Sequence, residues 1–92
     1  MNVYQKKAEK IGVTITESKN RNKKFDVFKD GVKQASIGAS GYMDYEKYKK
    51  KDGLAVANKK RENYRARHKD NINVKMRDGK LSAGYLSSKI LW

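Results

Sequence analysis

The only histidine, His68, follows Arg67 and Tyr64 in the stretch Arg61 to Asp70, "RENYRARHKD", with the carboxylates of Glu62 and Asp70 on either side. A histidine oriented by a carboxylate is equipment for general acid-base chemistry, and a neighbouring arginine could hold a phosphate oxygen. The spacing argues against that use. On a helix Glu62 lies six residues back and off the face of His68, and no nucleophile or metal site accompanies it for phosphodiester hydrolysis. A histidine in one row with Leu54 and Tyr64 reads better as a core-edge side chain that hydrogen-bonds a backbone carbonyl. A metal is expected nowhere, because one histidine among arginines and lysines, in a chain without cysteine, would place a cation among cations. No catalytic residue, metal ligand or cofactor is therefore assigned, and the chain is expected not to be an enzyme.

Two further constellations could bind rather than react. The loop "GASG", Gly38 to Gly41, is too short for a phosphate-cradling loop and lacks its lysine and hydroxyl ending, so it reads as a turn. The stronger signal is basic. Between residues 47 and 69 there are ten basic residues against two acidic ones, a net of +8 out of the chain's +13. Lys47, Lys49, Lys50, Lys51, Lys59, Lys60, Arg61, Arg65 and Lys69 are the expected phosphate-contacting side chains. Tyr42, Tyr45, Tyr48 and Tyr64 lie among these cations, but Tyr42, Tyr45 and Tyr48 recur every three residues, so at least some should face inward and no stacking on bases is assigned to them.

The elements that must hold this cluster are legible in outline. In "IGVTITES", Ile11, Val13 and Ile15 alternate with small or polar residues, which predicts a strand over 11–18. Asp30-Gly31 is a two-residue hairpin turn, predicting strands over 24–29 and 32–38. Asp44 is a candidate N-cap for a short helix toward Lys50, and Asp52-Gly53 a break. "LAVANKKRENYRARHK" predicts the longest helix, Leu54 to about His68, with Leu54, Ala57, Arg61, Tyr64 and His68 in one row. Residues 70–80 read as a connection with Ile72, Val74 and Met76 alternating. Ser82, flanked by Leu81 and Leu86 at staple spacing, caps a last helix over 83–91 whose buried stripe is Ala83, Leu86 and Ile90, and Leu91 and Trp92 close the core. The expected fold is α+β: a small three-stranded antiparallel meander over about 11–38, then two or three helices, the last closing the core.

At 92 residues the chain has room for one domain, and its 37% hydrophobic content is lean enough to limit it to a small core. With 23 basic against 10 acidic residues and a pI near 10.0, the self-repulsion points to nucleic acid or another polyanion as partner. No segment approaches a membrane span and no apolar run follows the first charges, so neither a membrane nor a leader is expected.

Three stretches also resemble a family of short basic proteins of unknown function encoded by giant nucleocytoplasmic DNA viruses: "GASGYMDY" at 38–45, "ENYRARHK" at 62–69 and "LSAGYLSSKILW" at 81–92. In that family a glycine-tyrosine-acid-tyrosine box precedes a lysine-aspartate, a tyrosine with an arginine-histidine pair, and a helix ending in leucine-tryptophan. The resemblance spans Phe25 to Trp92. The family often has a histidine before its lysine-aspartate, where this chain reads Lys49, Lys50 and Lys51. The resemblance implies a viral source, in host cytoplasm or nucleus or packaged in the virion. It also implies that Tyr64, Arg67 and His68 brace the last helix together with Leu91 and Trp92. The expected function is a non-enzymatic viral protein binding DNA or RNA without strong sequence specificity. The alternative is a virion structural protein, minor capsid or cement-type, contacting acidic surfaces of other virion proteins.

Overall fold

Asp30 and Gly31 both take positive φ, 51° and 79°, as a tight primed turn requires. The strands they join, β2 (Lys23–Lys29) and β3 (Val32–Ala39), pair antiparallel, and β1 (Thr14–Glu17) adds to the far side of β2. In this computed structural model, which describes residues 2–92, the fold is the expected α+β arrangement: the three-stranded sheet, then helices, with the last contacting β3 and the first helix.

Period-two alternation sorts the sheet into two faces. Ile15 lies opposite Val27, Val27 opposite Ala35, and Phe25 opposite Ile37 on the inner face; Thr16, Asp26 and Ser36 line up across the outer one. A register shift after Val27 leaves Gln34 without a cross-strand partner. Its side-chain oxygen instead accepts the backbone N–H of Leu81 at 2.9 Å, which moors a second, two-residue-stranded hairpin, β4 (Met76–Arg77) and β5 (Lys80–Leu81), beside β3.

The N-terminal stretch corrects the sequence reading. Val3–Lys10 is a helix, α1, and Asn2 and Gln5 form a reciprocal capping box at its start. Ile11 therefore ends a helix and does not begin a strand; its N–H donates to the carbonyl of Ala8, Gly12 turns the chain at φ 77°, and the strand starts only at Thr14. The last helix, α5 (Ala83–Ile90), begins where the staple predicts, with the Ser82 hydroxyl accepting from the N–H of Tyr85 and Leu81 and Leu86 both buried. Ala83 is exposed, contrary to its assignment to the buried stripe: the buried positions are Ser82, Leu86, Ser88 and Ile90, and Ala83, in the first turn and about 60° round the helix from Leu86, lies at the edge of that face. Ala8, Val13, Ile15, Val27, Ile37, Leu81, Leu86, Ile90 and Leu91 form the core between sheet, α1 and α5.

The cationic segment folds as α2 (Tyr45–Asp52) and α3 (Leu54–Arg67), followed by a single turn, α4 (Lys69–Ile72). Gly53 alone joins α2 to α3, at φ 93°, so the two helices meet at a sharp corner and pack on each other. Leu54, expected inward, is 55% exposed, and Ala57 is the one buried residue of α3. The residues expected as a connection, 70–80, fall largely within α4 and the β4–β5 hairpin. Among the described residues no helix is long and apolar enough to cross a membrane.

Candidate nucleic-acid interface

The short helix is fastened by its N-cap. Asp44 is almost fully buried, and its carboxylate accepts the backbone N–H of Lys47 at 3.1 Å, the hydroxyl of Tyr4 at 2.7 Å and the ammonium of Lys24 at 3.1 Å. One side chain thus joins α1, β2 and α2. Burial, and then donation to this carboxylate, push the Tyr4 hydroxyl well above the usual tyrosine range, so it stays a donor. Lys7 of α1 adds a second tie, 3.0 Å from the Glu46 carboxylate.

Cations on aromatic rings join α2 to α3. The Arg61 guanidinium lies 3.5 Å above the ring centroid of the buried Tyr45, and the Lys60 ammonium 5.4 Å from that of Tyr48. Tyr45 also donates its hydroxyl to Asn58 at 2.9 Å. Arg61 is consequently half-buried packing in this structure, with its Nε enclosed and not hydrogen-bonded, although sequence reasoning grouped it with the phosphate-contacting side chains.

An aromatic ladder carries α3 over to the end of α5. Tyr64 stacks on Trp92 with centroids 4.7 Å apart and planes 10° apart, His68 lies 4.5 Å from Tyr64, and Tyr48 lies 6.2 Å from Trp92. Burial raises the Tyr64 hydroxyl above its ordinary pKa. His68 ends α3; its carbonyl accepts from the N–H groups of Asn71 and Ile72, which starts α4. Among the described residues its ring makes no hydrogen bond to a carbonyl; it is held by Tyr64 instead. Arg67 is exposed and lines the same groove as Tyr64, Ser87 and Trp92, while Leu91 is buried in the core.

No family model, curated protein or solved structure matches this chain. The residues themselves must carry the reading.

Lys47, Lys49, Lys50, Lys51, Lys59, Lys60, Arg65 and Lys69 are all exposed, spread over α2, α3 and the start of α4. Between the sheet end, α2, α3 and Trp92 lies an open groove of about 860 Å³, lined in part by Lys23, Lys24, Tyr42, Lys60, Arg67 and Trp92. Sequence reasoning missed Lys23 and Lys24 as neighbours of the basic cluster, and it placed Tyr42 among those cations without giving it a stacking role. The two lysines come from β2, so no local spacing marks them. The three-residue spacing of Tyr42, Tyr45 and Tyr48 hid the difference between them: Tyr45 is buried, whereas Tyr42 stands exposed in the loop before α2.

Proposed function

We propose that the chain is a non-enzymatic, virus-encoded basic protein that binds nucleic acid through the exposed cations of α2 and α3, with little preference for base sequence. The carrying observation is the distribution of ion pairs. Among the described residues the salt bridges are Lys7–Glu46, Lys24–Asp44 and Lys33–Asp26. None uses a cation of the 47–69 segment, where the net charge is +8. Cations without carboxylate partners on two packed helices repel one another until a polyanion neutralises them, and phosphates do so without reading bases. The viral source rests on the residue resemblance at 38–45, 62–69 and 81–92.

The test is a titration of labelled duplex and single strand at about 50 and about 200 mM salt, where a protein engaging six or more phosphates loses about a thousandfold in affinity. Changing the exposed Lys50, Lys51, Lys59 and Arg65 together to glutamine is expected to flatten the slope of log K against log salt by about three to four, one for each lost contact. Absence of binding at the lower salt, or a slope untouched by the quadruple change, would sink the proposal. Retention on purified acidic capsid protein, at salt that abolishes nucleic-acid binding, would favour the virion structural role instead.

A further inference from the structure

The 860 Å³ groove has a composition that the flat outer face of α2 and α3 lacks. Its volume is within the roughly 300 to 1,000 Å³ of small-ligand sites. Lys23, Lys60 and Arg67 are exposed along it, and the only acidic side chain lining it among the described residues is Asp44. That carboxylate is buried and paired with the Lys24 ammonium, and it also accepts from Tyr4 and the N–H of Lys47, so it offers an incoming anion little opposition. Aromatic rings line the same space. Trp92 and Tyr64 are stacked on each other, whereas Tyr42 is 72% exposed and makes no ring contact with another aromatic of the described residues. A tyrosine left this open contributes little to the core and offers a stacking face beside cations.

We infer that this groove takes an unpaired nucleotide of a single strand, its base against Tyr42 and its phosphates toward Lys23, Lys60 and Arg67. The inference rests on the nucleic-acid reading above and narrows it. A duplex keeps its base faces stacked inside and cannot enter a concave site; an unstacked strand offers a π-face and a flexible backbone. The outer cations of α2 and α3 accept either form, so the groove is what makes the protein prefer single strands.

A fluorescent oligothymidine and a duplex hairpin of equal charge decide it, at one low salt concentration. Wild-type protein is expected to bind the single strand more tightly, and the strand, but not the hairpin, to quench the fluorescence of Trp92, the only tryptophan. Tyr42→Ala is expected to lower single-strand affinity on the order of tenfold, with hairpin affinity unchanged and Tyr42→Phe retaining wild-type behaviour. If neither probe binds, both readings fall. If both bind equally, with no Trp92 response and no effect of Tyr42→Ala, the groove inference falls and the nucleic-acid reading stands. Should Tyr42→Ala fail to fold, the wild-type preference and the Trp92 response decide alone, and the absence of either overturns the inference.

Discussion

The sheet with α1 and α5 is held in one way, and the corner of α2 and α3 in another. In the first region nine buried apolar residues meet in a single core. In the second, Tyr45 and Ala57 are the buried apolar residues, and the helices are joined by Arg61 on Tyr45, Lys60 on Tyr48 and the stack of Tyr64 on Trp92. Burying a leucine fully contributes about 1.5 to 3 kcal/mol, whereas a cation on a ring contributes about 0.5 to 1 when exposed and about 2 when desolvated. The corner is therefore the weaker region. It is also where ten basic residues are concentrated, and the two facts are connected: a helix that packs through small and cationic side chains leaves the rest of its circumference for charge.

The largest expected effect tests the stronger region. Leu86 is fully buried between sheet and α5, so Leu86→Ala is expected to cost about 3 to 5 kcal/mol in urea unfolding followed by far-ultraviolet circular dichroism. Against a total of about 5 to 15 kcal/mol, that brings the protein near the threshold of folding. A loss under about 1 kcal/mol would mean the core is not where the stability resides.

Arg61→Ala probes the weaker region. The guanidinium is enclosed against Tyr45, so the loss is expected near the upper end of the cation-ring range, about 2 kcal/mol. It should be local: amide exchange in α3 accelerates by more than tenfold while β2 and β3 amides change little. Equal acceleration in both regions would erase the distinction between them. Arg61→Lys is expected to recover part of the protection, since an ammonium keeps the charge but not the flat face.

The same contrast explains what could be read from the sequence. Where apolar residues alternate and turns have fixed chemistry, as at Phe25, Val27 and Asp30-Gly31, the strands follow within a residue. The last Asp-Gly pair, Asp78-Gly79, adopts the same backbone as Asp30-Gly31, with φ of 51° and 76°, yet its strands are only two residues long and offer no alternation to detect. The α1 helix was signalled by Asn2 and Gln5 alone, since only Ala8 of its eight residues is buried. In α3 the inward row is decided by a ring under Arg61 and by Trp92, thirty-one positions after Arg61, so Leu54 could not be oriented by counting apolar residues. The groove draws on four separated segments, and only folding brings Lys23 near Arg67.

The smallest and most specific expectation concerns the outer face of the sheet. The Asp26 carboxyl is lowered from 3.8 to about 2, first by the hydroxyl of Ser36 and then by that of Ser18, with the N–H of Lys19 and the Lys33 ammonium adding to them and burial opposing. These donors lie at 2.6, 2.7, 3.4 and 3.7 Å. Because the folded value lies below the unfolded one, the stabilisation is complete above 3.8 and is lost as pH falls through about 2. Asp26→Asn cannot lose it, so the difference in unfolding midpoint between wild type and variant is expected to shrink from about pH 5 to about pH 2. The repulsion from the many lysines is shared by both proteins and cancels in that difference. Parallel curves would mean that Asp26 is no better solvated by its serines than by water. A shrinking difference, with faster exchange first in β1 to β3 and not in α3, would locate the acid-sensitive interaction in the sheet region and leave the cationic corner indifferent to it.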